Sequence, residues 1–580
     1  MIANKSNDMR KRCKRIVACS VVFAFIVSAC GADVKNDVKT KDEIQVSSYD
    51  YMASINDKEL NIIEDNYRTA YEIFVYSFYD SDGDGIGDIN GITKKLDYLN
   101  DGDNSTDTDL GINEIYLMPV MPSDTYHKYD VNDYYNIDPS YGTMEGFENL
   151  ISEAHNRGIN VIIDFVMNHT SDTNQWFLEA SDYLKALGDK EVDLQECPYV
   201  DYYNFTKENL GSGYEKLEGT DWYYECRFWG EMPDLNLQSE QVRGELEDIA
   251  SFWLDKGVDG FRLDATTYFV SNDKEANIEI LTWFNNYVKS VKEDAYIVGE
   301  AWTDENEYMD MYESGIDSFF NFAMGNKDGV ISKVASGKSK ASAYSSHIEE
   351  ISNILSEKMD GLSLNAEEED GNAIFIDAPF LSNHDTGRAA GYFAGDDSEE
   401  SLKLAWGLNL LEGGTAFIYY GEEIGMKGSG KDENKRVGMY WSDGDYEGKC
   451  IGPIDADEVK MKYPSLEEQK EDVSSIYSYI KQAIKLRNIY PEISRGINKE
   501  VTEFEDDNIC AFIKEYNGEC MLIIVNTSDE SNTINIEGKK VYDKNISDMK
   551  FAGVLLTGEE VPSVDEKELI VPAKGIVMLK

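Results

Sequence analysis

The chain has 580 residues, 42% of them hydrophobic and 28% charged, and is long enough for two or three domains with large cores. Acidic residues outnumber basic ones by 111 to 54, so the formal net charge is −57. This charge excludes nucleic acid and anionic membrane surfaces as binding partners, because both would be repelled. It suits a neutral substrate and provides carboxylates for divalent cations.

Residues 1–29 have the pattern of a signal peptide. A basic stretch precedes an apolar run over residues 21–27, too short to span a bilayer, and small residues then lead to Cys30. This pattern resembles the bacterial lipoprotein signal, which implies cleavage before Cys30, lipidation of that residue and an extracytoplasmic protein held at the membrane by its lipid alone. The alternative is ordinary signal cleavage beside an incidental cysteine. Residues 30–66 are polar and are predicted to form a flexible tether.

Eight short apolar runs alternate with helical patterns over the middle of the chain. Such runs are typical of strands buried on both faces of a parallel sheet, and the intervening segments show apolar residues at helical spacing. The alternation predicts an α/β fold, a (β/α)8 TIM barrel built from residues 67–169 and 239–491. The eight runs cover residues 71–78, 112–119, 159–166, 258–263, 295–299, 316–322, 379–382 and 416–420.

Two segments depart from this alternation. The interval between the third and fourth runs is too long for one helix and is rich in Tyr and Trp, so residues 170–238 are predicted to be an inserted domain, domain B. After residue 491 the pattern changes to short strands with turns, which predicts an all-β C-terminal domain over residues 492–580. Within it, Asn517-Gly518 is typical of a two-residue hairpin turn.

Five cysteines follow Cys30, and the chain has no CxxC motif, which argues against a zinc knuckle. Cys197 and Cys226 fall in one segment and could form a disulfide; the alternative is that all five thiols are free. The predicted hairpin places Glu515, not Cys510, opposite Cys520.

Polar residues follow several of the predicted strands, where the active site of a barrel lies. Carboxylates stand at three strand ends, together with histidines and one arginine. These candidate residues are His169, Arg262, Asp264, Glu300, His384 and Asp385.

Three carboxylates in this position indicate glycoside hydrolysis with retention. Such hydrolysis uses one ionised carboxylate as nucleophile and one protonated carboxyl as acid, about 5–5.5 Å apart. Arg262 lies two residues before Asp264, on the same face of the strand, and can keep Asp264 ionised. Glu300 then takes the role of acid, and Asp385 can bind sugar hydroxyls and stabilise a cationic transition state.

An acidic loop after the first run predicts a calcium site. Carboxylates alternate along it at EF-hand-like spacing, with a backbone carbonyl between them, although Gly91 stands where an EF-hand has its last Glu. The alternative is a solvated acidic turn. The predicted ligands are Asp80, Asp82, Asp84, Ile86 and Asp88.

From about Tyr67 to the C-terminus these segments resemble the α-amylase family of glycoside hydrolases. The resemblance implies Asp264 as nucleophile, Glu300 as acid and base, and Asp385 as transition-state stabiliser. It also implies an α-glucan substrate, a Ca²⁺ site in the acidic loop and a second Ca²⁺ site at Asn168. We expect a monomer. The residues implied to surround the sugar at the cleavage point are His127, Tyr129, His169, Arg262 and His384.

Substrate choice within the family stays open on sequence alone. Residues 232–236, MPDLN, resemble a subgroup between oligo-1,6-glucosidases and neopullulanases. Thr267 and Tyr268 stand where many α-amylases have Lys-His, whereas Ala265 resembles α-1,4-acting members. We expect hydrolysis of α-1,4 bonds in starch or maltodextrins. The alternatives are an oligo-1,6-glucosidase, a neopullulanase, a glucanotransferase, or a lipoprotein that binds glucan without cleaving it.

Overall fold

The computed structural model describes residues 47–362, 375–504 and 506–580. The predicted signal peptide, Cys30 and the first part of the predicted tether lie outside these residues. No helix within the described ranges is both long enough and apolar enough to cross a membrane.

Seven parallel strands form one curved sheet, as predicted from the apolar runs. In the sheet, the last strand of the barrel pairs with the first, and the others follow in chain order. Every residue of the fourth and fifth strands is buried, which explains their continuous apolar sequence. The strands are Thr69–Ile73, Glu114–Leu117, Asn160–Phe165, Gly260–Leu263, Tyr296–Gly299, Ser318–Phe319 and Ala416–Tyr419.

The seventh of the eight predicted strands closes the barrel through single residue pairs. Ala378 pairs with Phe320, and Phe380 pairs with Phe417, both in parallel. Pro379 lies between them and has no N–H to donate, although its carbonyl accepts from Phe417. The (β/α)8 barrel is therefore confirmed.

Helices follow the strands and cover the outside of the barrel. The longer ones bury an apolar face, as the periodicity around Phe147 predicted. These helices are Ile89–Leu99, Met144–His155, Glu240–Asp255, Lys274–Val291, Glu305–Met311, Val330–Ala335, Ser342–Leu362, Ser398–Leu411, Leu466–Glu471 and Ile476–Ile489. A further short helix, Asp432–Lys435, lies instead beside Asp385, at the strand ends.

The segment between the third and fourth strands forms a small subdomain of its own. It has a helix, Gln175–Leu187, and an antiparallel sheet in which Tyr223–Glu225 lies between Phe205–Thr206 and Tyr214–Lys216. A bridge between His169 and Asp234 joins the two ends of the insertion, so its outgoing and returning chains meet beside the third strand.

Antiparallel sheets form the C-terminal part of the chain. Asn517 and Gly518 both have positive φ and connect the two longest strands, so the predicted hairpin and its pairing of Glu515 with Cys520 are confirmed. The five-stranded sheet contains, in order, Ile497–Glu500, Ile509–Tyr516, Glu519–Asn526, Ile576–Leu579 and Phe551–Leu555. The remaining strands are Asn532–Asn535, Lys540–Val541, Lys544–Asn545, Ser563–Val564 and Glu568–Val571.

The prediction of a flexible tether up to residue 66 is wrong from residue 47 onward. Ser48–Asn56 is a helix that packs on the C-terminal sheet and buries Met52. Asn56 is fully buried and exchanges two hydrogen bonds with the backbone of Val554, at 3.0 and 3.1 Å. Further along, Asp65 pairs with Arg495. These partners lie more than 400 residues away, so the local composition gives no sign of them.

The suggested disulfide between Cys197 and Cys226 is also absent. Both thiols are free and buried, as is that of Cys450, and Cys520 is free and partly exposed. The alternative of free thiols therefore describes Cys197 and Cys226.

The docking of the N-terminal helix predicts a specific effect of Asn56→Ala. Loss of both hydrogen bonds leaves the buried N–H and C=O of Val554 unpaired, which costs about 2–4 kcal/mol locally. We expect faster hydrogen–deuterium exchange in residues 48–56 and 551–555 and a lower melting temperature. The exposed change Ser54→Ala is the control. Unchanged exchange in Asn56→Ala would mean that the helix does not hold to the sheet in solution.

Candidate active site

The ends of the barrel strands open into a cavity of about 640 Å³. The structure brings together there all the residues predicted to act on the sugar. Arg262 and His384 are buried behind the cavity wall and contact residues in it. The predicted residues that line the cavity are His127, Tyr129, His169, Asp264, Glu300 and Asp385.

Arg262 is the buried cation between the two predicted catalytic carboxyl groups. Its Nη1 lies 2.8 Å from Asp264 Oδ1, and its Nη2 lies 3.1 Å from Glu300 Oε1. Nη1 also bonds to Asp164, 2.9 Å away on the neighbouring strand, where Asp164 and Arg262 are paired in register. One guanidinium therefore orients three carboxyl groups.

The backbone of Ala265 makes a further contact to Glu300 from a strained conformation. Ala265 follows Asp264 and has φ of 53°, a left-handed conformation rare for residues other than glycine. Its backbone N–H donates to Glu300 Oε2 at 3.1 Å. The turn after the fourth strand thus holds Asp264 and Glu300 in one arrangement.

The pKa values of both carboxyl groups are raised. Burial raises the pKa of Asp264 to about 6, although Arg262 opposes the shift. Burial also raises the pKa of Glu300 to about 7, with Arg262 again opposing and Asp264 adding to it. The pKa of Asp264 is the lower of the two, which is the order that a retaining glycosidase needs for its nucleophile and its acid.

Asp385 belongs to a second ionic group, with His384, Glu72 and Arg436. Burial alone would raise its pKa, but His384, at 3.0 Å, and Arg436, at 2.8 Å, hold the pKa well below its usual range. Burial alone would lower the pKa of His384. Asp385 and Glu72, which bonds Nδ1 of His384, raise that pKa to about 10 instead. At neutral pH Asp385 is therefore ionised, and the His384 ring beside it is protonated.

Tyr129 and His127 come from the loop after the second strand. The Tyr129 ring stacks on His384 with a centroid distance of 5.7 Å, and its hydroxyl donates to Asp164 at 2.9 Å. His127 Nδ1 accepts the backbone N–H of Tyr129 at 3.2 Å, so the proton of the neutral ring lies on Nε2. These contacts fix both rings before any sugar binds.

His169 is a buried, neutral histidine. Burial lowers its pKa to about 3. Its Nε2 has no hydrogen-bond partner among the described residues, although the ring lines the cavity. A buried ring nitrogen without a partner is costly, and a sugar hydroxyl would satisfy it.

Three buried partners of the site were missed by sequence reasoning. Asp164, Glu72 and Arg436 hold Arg262, His384 and Asp385 in place. Asp164 could have been predicted from the sequence, because it lies in the third apolar run at the position that pairs with Arg262 of the fourth run. Glu72 and Arg436 are joined to the site only by the tertiary fold.

The acidic loop has the geometry of a cation site. Oxygens of Asp80, Asp82 and Asp88 lie within 4.8 Å of one another. The carboxylate of Asp84 is not in this group and accepts the N–H of Ile86 at 2.8 Å. Gly83 and Gly85, with φ of 90° and 95°, allow the tight wrap around the three carboxylates. Like charges this close repel unless a cation lies among them, so the donor set fits Ca²⁺.

Asn168 lies at the junction of the barrel and the insertion. Its amide nitrogen is 3.3 Å from Asp234, whose pKa burial raises to about 8. Within the described residues, three acidic side chains converge in the loop of Asp80 but not around Asn168. The second calcium site stays a prediction.

Comparison with known proteins agrees with this geometry. A family model described as the catalytic domain of alpha amylase matches residues 72–496. Alpha-amylase 3 of Dictyoglomus thermophilum is 38% identical over 494 residues, 83% of this chain and 89% of that protein. An oligo-1,6-glucosidase of Parageobacillus thermoglucosidasius is 29% identical, with 82% of this chain and 92% of that protein covered. The solved structure of Eubacterium rectale Amy13B has a TM-score of 0.82 and 48% identity, covering 91% of this chain and 98% of the other.

A barrel with paired carboxyl groups at its strand ends has the fold and the groups that a retaining glycoside hydrolase needs. The family match covers well over half of the chain, and the chain belongs to the α-amylase family, whose members act on α-glucans.

The two ionic groups predict distinct protonation states for the site histidines. His384 should stay charged from pH 5 to about pH 9, and His169 and His127 should stay neutral down to about pH 5. NMR spectra of protein with ¹³C-labelled histidine would record these states. Glu72→Gln should lower the pKa of His384. Titration of His384 near pH 6.5 in the unchanged protein would contradict this account.

Proposed function

We propose that this protein hydrolyses α-1,4-glucosidic bonds of starch or maltodextrins with retention of configuration, outside the cell. The observation that carries the proposal is the guanidinium of Arg262 between Asp264 and Glu300, whose pKa values differ in the order that the reaction needs.

In the first step, Glu300 gives its proton to the glycosidic oxygen while the carboxylate of Asp264 attacks the anomeric carbon. The bond between that carbon and the leaving oxygen breaks, and a covalent glycosyl ester forms on Asp264. Asp385 remains an anion beside the cationic sugar of the transition state and stabilises it. In the second step, Glu300 takes a proton from water, and the oxygen of that water displaces Asp264.

The preference for α-1,4 bonds is supported by the relatives. A protein named alpha-amylase is 38% identical to this chain, whereas the proteins named oligo-1,6-glucosidase are 28–29% identical. Ala265 beside the nucleophile agrees with this choice, as noted from the sequence. The second candidate is an oligo-1,6-glucosidase, because Thr267 and Tyr268, which line the cavity, differ from the usual amylase pair.

The location outside the cell, anchored by a lipid on Cys30, is supported by the signal-like sequence of residues 1–29. A polymeric substrate such as starch must be cut outside the cell before uptake, which agrees with this location. We propose that the enzyme acts there as a monomer.

A Ca²⁺ ion held by Asp80, Asp82 and Asp88 completes the proposal. The ion would offset part of the negative charge of the loop and tie the loop to the start of the helix Ile89–Leu99, which Asp88 caps. Its contribution is structural, because none of these residues lines the active-site cavity.

A panel of substrates tests the reaction and the linkage. The chain without residues 1–30 is offered soluble starch, maltotriose and isomaltose, beside Asp264→Asn. We expect sugar release from starch and maltotriose and a loss of at least about 10⁴-fold in the variant, because the nucleophile is gone. Release from isomaltose alone would support an oligo-1,6-glucosidase. Binding of starch without turnover of any substrate would contradict the proposed hydrolase.

Calcium dependence tests the acidic loop. We expect Ca²⁺ to raise the melting temperature and Asp82→Asn to weaken its binding by at least about tenfold, because one charged ligand is lost. Equilibrium dialysis measures the affinity, and Asp103→Asn, an exposed change in another loop, is the control. No bound Ca²⁺ and no effect of a chelator on melting would rule out this site.

A further inference from the structure

Residues 436–451, which we call the strap, connect the active site with the acidic loop. The strap contains no helix or strand. It begins at Arg436, whose guanidinium lies 2.8 Å from Asp385, and ends at Ile451, whose backbone N–H donates to the carbonyl of Gly85 at 2.8 Å. Because the strap has no regular structure of its own, its position is set by hydrogen bonds to other parts of the chain.

The turn after the first barrel strand holds the start of the strap. The buried hydroxyl of Ser77 donates to the backbone carbonyl of Arg436 at 2.6 Å, and the carbonyl of Ser77 accepts the N–H of Met439 at 2.8 Å. The indole N–H of Trp441 donates to the carbonyl of Phe78 at 2.7 Å. These three bonds fix the backbone from which the Arg436 side chain projects.

The acidic loop holds the other end of the strap. The N–H of Asp80 donates to the carbonyl of Gly448 at 3.0 Å, in addition to the bond between Ile451 and Gly85. Gly448 has φ of 85° and lies so close to Tyr79 that a Cβ there would be 2.0 Å from Cζ of the ring. Only glycine permits this approach, so the strap lies directly on the loop that carries the predicted calcium ligands.

Like charges face one another across this contact. Among the described residues, five acidic side chains and one basic side chain, Lys449, line the depression between the loop and the strap. The acidic residues are Asp80, Asp82 and Asp84 of the loop and Asp445 and Glu447 of the strap. Repulsion between these groups favours separation of the strap from the loop, and a cation held in the loop would reduce that repulsion.

Arg436 is the residue through which the strap reaches the reaction. It is 4% exposed, and besides Asp385 it contacts the carbonyl of His384 and the hydroxyl of Tyr126, each at 3.3 Å. The preceding residue, Lys435, donates to the backbone carbonyl of Asp385 at 2.7 Å. A displaced strap would move both cations relative to Asp385, and a shift of about 1 Å at a catalytic group can cost on the order of 10²-fold in rate.

We propose that the strap positions Arg436, and through it Asp385, from the acidic loop, so that Ca²⁺ bound in the loop favours the catalytic arrangement of Asp385. This inference rests on the proposed function and adds to it a route by which a bound ion governs the reaction. Of the strap residues, only Arg436 is among the described residues that line the active-site cavity, so the others act as positioning residues.

Two glycines of the strap provide a matched pair of variants. Gly448→Ala places a Cβ against Tyr79 and separates the strap from the loop, without changing a predicted ligand or a residue of the cavity. Gly444→Ala is the control. Gly444 also has a positive φ, 76°, but no described atom lies within 4 Å of its added Cβ. Both variants therefore carry similar backbone strain, and only Gly448→Ala displaces the strap.

Hydrogen–deuterium exchange, recorded with Ca²⁺ or with a chelator, follows the strap directly. In the unchanged protein Ca²⁺ should slow exchange about tenfold at Met439, near Arg436, as well as at Ile451. Because coupling between two binding equilibria is reciprocal, Gly448→Ala should lose this protection and should bind Ca²⁺ about tenfold less tightly in equilibrium dialysis, although every predicted ligand remains. Gly444→Ala should match the unchanged protein in both measurements.

Activity on soluble starch follows the effect at Asp385. Gly448→Ala should lower kcat at least about tenfold and change KM less than about twofold, because Asp385 acts on the transition state more than on the bound substrate. Ser77→Ala removes only the hydroxyl that bonds to Arg436 and is the second variant should Gly448→Ala not fold. It should lower kcat at least about threefold, because the backbone of Arg436 is less firmly held.

The outcomes separate the strap from the proposed hydrolase. Ca²⁺ that binds without slowing exchange at Met439, or a kcat of Gly448→Ala equal to that of Gly444→Ala, would overturn the strap and leave the hydrolase standing. Absence of any bound Ca²⁺ would overturn it as well. If the unchanged protein cleaved no starch, the proposed hydrolase would be refuted, and this inference with it.

Discussion

The ion pairs of Arg262 are the interaction on which the rest of the site depends. A charged group buried in a barrel costs several kcal/mol unless partners compensate it. Here Asp164, Asp264 and Glu300 all bond to the one guanidinium, from three neighbouring strands. Without that cation three acidic groups would share one buried space, and repulsion would protonate them or force them apart. The barrel supplies the rigid strand ends that make this arrangement possible.

A second ionic group surrounds Asp385, and its role differs from that of the group around Arg262. His384 and Arg436 hold the pKa of Asp385 well below its usual range, whereas burial raises the pKa of Glu300 to about 7. Tyr129 connects the groups, since its hydroxyl contacts both Asp164 and His384. The proposed mechanism needs this contrast, because it requires one permanent anion and one transferable proton within a single cavity.

The sequence was informative where function depends on local pattern and less so where it depends on distant contacts. Apolar runs located the barrel strands, and the residues that follow them located Asp264, Glu300 and Asp385. Glu72 and Arg436 were missed because each reaches the site from a distant part of the chain. The N-terminal helix was missed for a related reason: its stability comes from Met52 and Asn56 against the C-terminal sheet, not from its own composition.

The central claim is that Asp264 becomes covalently bound to the sugar while Glu300 transfers the proton. Trapping the intermediate with 5-fluoro-α-glucosyl fluoride, followed by digestion and mass spectrometry, tests it directly. The account predicts a hexosyl adduct on the peptide that contains Asp264, formed by the unchanged protein and absent in Asp264→Asn. A sugar attached to another residue, or no adduct together with β-anomeric product from starch, would contradict it.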